Sequence, residues 1–113
     1  MAAKKSRANA KPVIFEITTA RPLPVGQQVF IAGNQPMLGR WQPDGLPLTR
    51  MDDNTWVATA IVKPDAPLEF KITRGTWETE AVGDSGEILP NIVIDAAGKS
   101  RITAIVNRWR DEP

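Results

Sequence analysis

The chain has 113 residues, 42% of them apolar, and it contains neither cysteine nor histidine. This length is typical of one domain, and the missing residue types exclude disulfides, thiol nucleophiles and the commonest metal ligands. Four of the fourteen Lys and Arg residues lie in residues 1–11, so the remainder carries ten basic against thirteen acidic residues. A body of this charge is not a nucleic-acid surface, and no apolar run approaches the ~20 residues of a membrane-spanning helix.

Short apolar or alternating runs recur at a spacing of roughly ten residues, separated by Gly, Pro, Asp and Asn. No segment of helical length carries an apolar stripe with a 3.6-residue period. In LEFKIT the alternation places Phe70 and Ile72 inward and Lys71 outward. The pattern predicts an all-β, antiparallel sandwich or barrel. The predicted strands are 13–19, 28–33, 55–62, 68–73, 76–82, 91–95 and 100–109.

Three segments are expected along the chain. Residues 1–11 form a flexible basic tail, residues 12–110 the β domain, and residues 111–113 its end or the start of a linker. The tail lacks the apolar segment of a secretory signal, so we expect a cytoplasmic protein or a piece cut from a longer chain. No cofactor or metal site is expected, since no ligand cluster is visible.

Few residues are suited to catalysis. The serines have no visible base partner, and Glu78 and Glu80 would share one face of a regular strand. Two carboxylates can carry out glycoside hydrolysis. Two acidic side chains on one face of a strand, however, are more commonly part of an ordinary solvent-exposed surface. We therefore predict a protein that is not an enzyme, unless a catalytic domain lies beyond this sequence.

The aromatic set is unusual, with four Trp, three Phe and no Tyr. Trp56 begins an alternating strand with small residues on its own side, so we predict that it is buried. Trp109 ends the last predicted strand, and we predict a structural role for it. Trp41 and Trp77 lie in polar, glycine-containing surroundings, and spacing alone leaves each open between a packed and an exposed position. An exposed indole would offer a flat apolar surface to a sugar ring.

The order of these pieces resembles that of a starch-binding domain, carbohydrate-binding module family 20. The stretch VFIAGNQPMLGRWQPDGLPL is similar to the opening strand and Leu-Gly-x-Trp loop of that family, and NTWVATAIV and LEFKIT to its next strands. TWETEA, the Pro-Asn step at 90–91 and the ending VNRWR follow in the same order. The resemblance spans roughly residues 13–110, and glycogen-binding modules of family 48 share some of these pieces.

This resemblance implies an immunoglobulin-like antiparallel β-sandwich of about seven to eight strands that binds α-1,4-glucans without cleaving them. Trp41 and Trp77 match the two stacking tryptophans of the main sugar site, and Lys71 matches its hydrogen-bonding lysine. Glu78 matches the polar neighbour of the second tryptophan, and Asn91 the asparagine of the Pro-Asn step. The implied partners are an α-glucan and a covalently linked catalytic domain, with no nucleic acid and no membrane.

The chain departs from the family pattern in two respects. It has no tyrosine, although the second sugar site of the family relies largely on tyrosines, so we predict that this site is missing or altered. Residues GDSGEI lengthen the segment between Trp77 and Asn91, as in similar domains fused ahead of bacterial esterases and other hydrolases. The alternative hypothesis is therefore an accessory or protein-interaction β-sandwich of a larger hydrolase, whose sugar site is degenerate.

Overall fold

The structure, a computed structural model, describes residues 10–63 and 66–112. Within these ranges ten β-strands form two four-stranded sheets, in the orders β4-β5-β1-β9 and β3-β2-β6-β8, and a two-stranded pair of β7 and β10. Two short segments that contain 3₁₀ turns, Pro36–Trp41 and Trp77–Thr79, interrupt the strands, and the first of them is kinked at residues 38–40. The strands are β1 Lys11–Thr19, β2 Phe30–Gly33, β3 Leu46–Pro47, β4 Thr49–Arg50, β5 Thr55–Val62, β6 Leu68–Thr73, β7 Ala81–Val82, β8 Ile92–Ile94, β9 Arg101–Val106 and β10 Arg108–Trp109.

The core forms where the inward faces of the two large sheets meet. Alternation along β1 buries Val13, Phe15 and Ile17, and alternation along β6 buries Phe70 and Ile72. The rings of Phe15 and Phe70 meet edge to face, with their centroids 5.3 Å apart. Contacts of this kind across two sheets define a β-sandwich, so the predicted all-β sandwich is confirmed.

One pairing differs from the predicted antiparallel arrangement, because β1 pairs with β9 in parallel, Ile14 opposite Arg101 and Thr19 opposite Val106. Parallel neighbours need a long connection. Here nearly the whole domain lies between the first and the last long strand, so the last strand is free to return along the open side of β1. All other strand pairs are antiparallel.

The strand count also exceeds the predicted seven to eight, because four of the ten strands have only two residues. Pairs this short carry no readable alternation. The prediction of a regular strand over 76–82 was wrong in its first half, where residues 77–79 form a 3₁₀ turn and only Ala81–Val82 pairs as strand. The change in backbone geometry alters which side chains of this segment share a face.

The two ends of the domain are tied to its body. Strand β1 begins at Lys11, one residue inside the predicted tail, and the Lys11 ammonium donates to the carbonyl of Lys99 at 2.6 Å. Near the other end, the carboxylates of Asp111 and Glu112 pair with Arg74 and Arg21. Residues 1–9 and 113 lie outside the described residues. Within residues 10–63 and 66–112 no helix has the length and apolarity to span a membrane.

Candidate functional site

One open cleft gathers side chains from distant parts of the chain. Its volume is about 560 Å³, within the usual range for small-ligand sites. Both indoles in the cleft are half-buried, so they lie neither in the core nor fully in solvent. The cleft is lined by Trp41, Lys71, Trp77, Glu80, Asn91 and Arg110.

Trp41 is held by an unusual backbone conformation. Gly39, Arg40 and Trp41 all have positive φ, at 79°, 49° and 67°. For a residue other than glycine this left-handed region costs about 1–2 kcal/mol, and such conformations concentrate at ligand sites. A Cβ atom at Gly39 would overlap the Cα atom of Gly45, so position 39 requires glycine for space as well as for φ.

Three sets of contacts hold the loop that carries Trp41. Leu38 is fully buried and anchors the turn in the core. The amide of Gln35 donates to the carbonyl of Lys63 at 2.9 Å and accepts from its N–H at 2.8 Å. The hydroxyl of Thr73, at the end of β6, donates to the carbonyl of Pro43. These contacts hold the loop in one arrangement, and they oppose the strain at Arg40 and Trp41.

Lys71 and Asn91 reach the cleft from neighbouring strands. Phe70 on β6 pairs with Ile92 on β8, so Lys71 and Asn91 follow next to each other at the end of this antiparallel pair. The Asn91 amide donates a long hydrogen bond of 3.4 Å to Glu69 and is otherwise exposed. Lys71 lies on the outer face of β6, as the alternation predicted, but its side chain is only 20% exposed.

Trp77 is presented by a compact turn. The N–H of Thr76 donates to the Thr79 hydroxyl at 3.3 Å, and the N–H of Thr79 donates to the Thr76 carbonyl at 3.1 Å. The N–H of Glu80 donates to the Trp77 carbonyl at 3.2 Å. Because side chains three residues apart lie on the same side of a 3₁₀ turn, Trp77 and Glu80 both line the cleft, whereas a regular strand would place them on opposite faces.

Glu78 differs from the other residues predicted for the site. It is exposed and does not line the cleft. Successive side chains of a 3₁₀ turn point roughly 120° apart, so Trp77 and Glu78 face different directions. The acidic residue of the cleft is instead Glu80, which is only 4% exposed. The structure thus brings together four of the five predicted residues, Trp41, Lys71, Trp77 and Asn91, and leaves Glu78 outside.

Two residues of the cleft, Glu80 and Arg110, were not predicted. One Glu80 carboxylate oxygen accepts from the Lys71 ammonium at 2.8 Å, and the other accepts from the Arg110 guanidinium at 3.2 Å. The sequence signals were the ending VNRWR, which contains Arg110, and the spacing of Glu78 and Glu80, which indicated a shared strand face that the turn abolishes. Within residues 10–63 and 66–112 no group of three acidic side chains is placed to hold a metal ion.

Comparison with known proteins identifies relatives along most of the chain. The family model described as "Starch binding domain" matches residues 10–89. An amylopullulanase from Thermoanaerobacter thermohydrosulfuricus is 31% identical over 105 residues, 89% of this chain and 7% of that protein. An alpha-amylase from Niallia circulans is 28% identical over 104 residues, 91% of this chain and 8% of that protein. A 4-alpha-glucanotransferase from Oryza sativa subsp. japonica is 35% identical over 81 residues, 70% of this chain and 8% of that protein. The chain thus spans less than a tenth of the length of these relatives.

Solved structures share the fold at low sequence identity. The family 20 module of the maltotetraose-forming amylase from Pseudomonas saccharophila STB07 matches with a TM-score of 0.59 and 18% identity, over 84% of this chain and 99% of that one. A family 15 glucoamylase from Hypocrea jecorina matches with a TM-score of 0.52 and 18% identity, over 91% of this chain and 18% of that one. The sandwich, its cleft and the family match over most of the chain lead to one conclusion: the chain belongs to the starch-binding domain family, carbohydrate-binding module family 20, and is a non-catalytic binding module.

Proposed function

We propose that the cleft between Trp41 and Trp77 is the surface through which this module binds α-1,4-glucans. The two indoles stack against glucose rings, while Lys71 and Asn91 hydrogen-bond the hydroxyls at the ring edges. The observation that carries this proposal is that side chains from five separate segments of the chain, two of them indoles, line one cleft.

The chemistry of the cleft suits a sugar better than a wholly apolar ligand. A glucose ring has an apolar C–H face and hydroxyls around its edge, so it needs flat apolar surface with a few polar groups beside it. The Lys71 ammonium supplies donors, and the Asn91 amide supplies both a donor and an acceptor. A shallow site of this kind binds in the micromolar to millimolar range, about −4 to −8 kcal/mol.

The named activities of the relatives indicate a wider setting. An amylopullulanase, an alpha-amylase and a glucanotransferase each contain a segment similar to this chain. We propose that the module works beside a catalytic domain that acts on α-glucan, and that binding raises the local concentration of glucan at that domain. The alternative is an accessory domain that keeps the fold without binding sugar.

Affinity electrophoresis through amylose-containing gels tests the proposal. The wild-type module should be retarded, and Trp41→Ala and Trp77→Ala should each migrate close to their mobility in a gel without polysaccharide. The control variant is Glu16→Gln, on the opposite outer face of the sandwich, which should be retarded like wild type. A wild-type module that passes amylose unretarded would reject glucan binding and favour the accessory domain.

A further inference from the structure

Glu80 is a buried carboxylate at the base of the cleft, and it holds the cations on either side. Its side chain is 6% exposed, whereas the side chains of Lys71 and Arg110 are 20% and 49% exposed. Each carboxylate oxygen accepts from one of the two cations. Because both cations line the cleft and Glu80 lies beneath them, the carboxylate is placed to fix how they are presented to a ligand.

The backbone explains why these groups meet. Strands β7 and β10 pair Ala81 with Trp109, and one step further the N–H of Arg110 donates to the carbonyl of Glu80 at 2.9 Å. The guanidinium of Arg110 also lies 3.5 Å from the carbonyl of Trp77. Lys71 belongs to a different sheet, so Glu80 connects the strand that carries the ammonium with the turn that carries the second indole.

A buried carboxylate is unfavourable unless its partners compensate for the lost hydration, and replacing a whole buried ion pair by apolar side chains of similar size is often neutral or stabilising. The ion pairs of Glu80 therefore do not by themselves indicate a role in stability. Presentation of Lys71 to a ligand is another role. Its ammonium has three donors, of which Glu80 takes one and leaves two for a ligand. A lysine held in place before binding loses less rotamer freedom on binding than a free one.

We propose that Glu80 is a positioning residue of the glucan site, which holds the Lys71 ammonium in the cleft and couples it to the Trp77 turn through Arg110. The inference rests on the proposed function of the cleft. It goes further in assigning a role to a residue that touches no sugar itself. Glu80 acts through Lys71, and its contribution to affinity disappears when Lys71 is absent.

A purely structural role for Glu80 would have another consequence. As a brace between the β7–β10 pair and β6, Glu80 would support the shape of the whole cleft, and its loss would weaken binding whether or not Lys71 is present. The two roles therefore differ in a double-mutant cycle, which measures the coupling between two positions.

The experiment titrates β-cyclodextrin into wild type, Glu80→Gln, Lys71→Met and the double variant, with the tryptophan fluorescence as readout. The glutamine is uncharged and has one acceptor oxygen, so one of the two cations that each face a carboxylate oxygen would face an NH₂ group instead. We expect Glu80→Gln to weaken binding by roughly fivefold to tenfold, because a lysine that is no longer held must be ordered when the ligand binds. The double variant should bind no more weakly than Lys71→Met alone. Glu16→Gln, which removes a carboxylate from an ion pair on the opposite sheet, should bind as wild type.

Each result decides between the possibilities. Wild-type affinity in Glu80→Gln, alongside weakened Lys71→Met, would overturn the positioning role and leave the glucan site standing. An equal loss on the wild-type and Lys71→Met backgrounds would also overturn it, in favour of the brace. Absence of binding by wild type would reject the site and the inference together. Should Glu80→Gln not fold, Glu80→Asp retains the charge with a shorter reach, and it must show the same dependence on Lys71.

Discussion

The four tryptophans of this domain form two pairs that differ in backbone conformation, burial and neighbouring side chains. Trp56 and Trp109 lie on strands, are 2% and 4% exposed, and each has an arginine above its ring, with centroid distances of 5.3 and 5.2 Å. Trp41 and Trp77 lie in turns, are half-buried and line one cleft. The difference shows that local backbone geometry assigns an indole to the core or to a surface cleft.

An arginine packs over the ring of each buried tryptophan, Arg50 over Trp56 and Arg74 over Trp109. The Arg50 guanidinium also donates to the carbonyls of Leu23 and Asp53, so it joins Trp56 to two loops. A cation above an indole face contributes about 0.5–1 kcal/mol at an exposed site. These two tryptophans therefore support stability, whereas Trp41 and Trp77 line the cleft for which we propose glucan binding.

Replacing one member of each pair by alanine should give the largest contrast. Trp56→Ala leaves a cavity in the core, so we expect it to lower the free energy of unfolding by about 3–5 kcal/mol. Trp41→Ala removes a half-buried ring from a surface turn and should lower it by less than about 1 kcal/mol. Urea denaturation measures both changes. Comparable losses of unfolding free energy in the two variants would show that Trp41 is a core residue, and the distinction between the two pairs of tryptophans would no longer hold.

A glycine substitution sharpens the same comparison at the turn. Gly39→Ala forces a side chain into a positive-φ position and against Gly45, so we expect a loss of about 1–3 kcal/mol together with weaker glucan binding, since Trp41 lies two residues on. Gly26 is the matched control, because its φ of 93° is also positive but an added Cβ meets no atom within 4 Å. Gly26→Ala should cost some stability and leave affinity unchanged. Equal affinity losses would show that the Trp41 turn has no special role.

Much of the fold was predictable because its long strands alternate. The alternation in β1, β5 and β6 reports burial directly, and it correctly assigned Trp56 to the core and Lys71 to the outer face. Two-residue strands such as β3 and β7 carry too few side chains for any period. The parallel partner of β1 depends on where a distant strand returns, which no local pattern records.

The cleft was less predictable than the sandwich, for a related reason. Trp41, Lys71, Trp77 and Asn91 were named from their order along a family pattern, and their place in one cleft depends on the turns between them. Positive φ at Arg40 and Trp41 leaves no trace in residue type, since neither is glycine. Glu80 and Arg110 meet through the register of two short strands, and alternation alone gave Glu78 and Glu80 the same face. Where a turn replaces a strand, the period used to assign faces no longer applies.

The smallest expected effect concerns Asp52, in the turn that precedes strand β5 and its buried Trp56. The N–H groups of Asn54 and Thr55 donate to one carboxylate oxygen of Asp52 at 2.9 and 2.8 Å, and Arg50 lies nearby. The Asn54 N–H foremost, then Thr55 and the Arg50 charge, hold the pKa of Asp52 below its usual range. A carboxyl group whose pKa is lowered in the folded state stabilises the fold above its unfolded pKa. That contribution is lost as the pH falls through the folded pKa, below about pH 4.

Asp52→Asn tests this turn, because the amide oxygen can accept the same N–H groups without titrating. We expect a slightly lower melting temperature at pH 7, a difference from wild type that narrows below about pH 4, and unchanged glucan affinity. Thermal melts of both proteins across the acid range measure the effect, with the exposed neighbour Asp53→Asn as the matched control. A difference between Asp52→Asn and wild type that stays constant with pH would reject the ionised carboxylate as its source. Weaker glucan binding in Asp52→Asn would instead show that the buried tryptophan region and the cleft are energetically coupled, and that stability and binding are not divided between the two pairs.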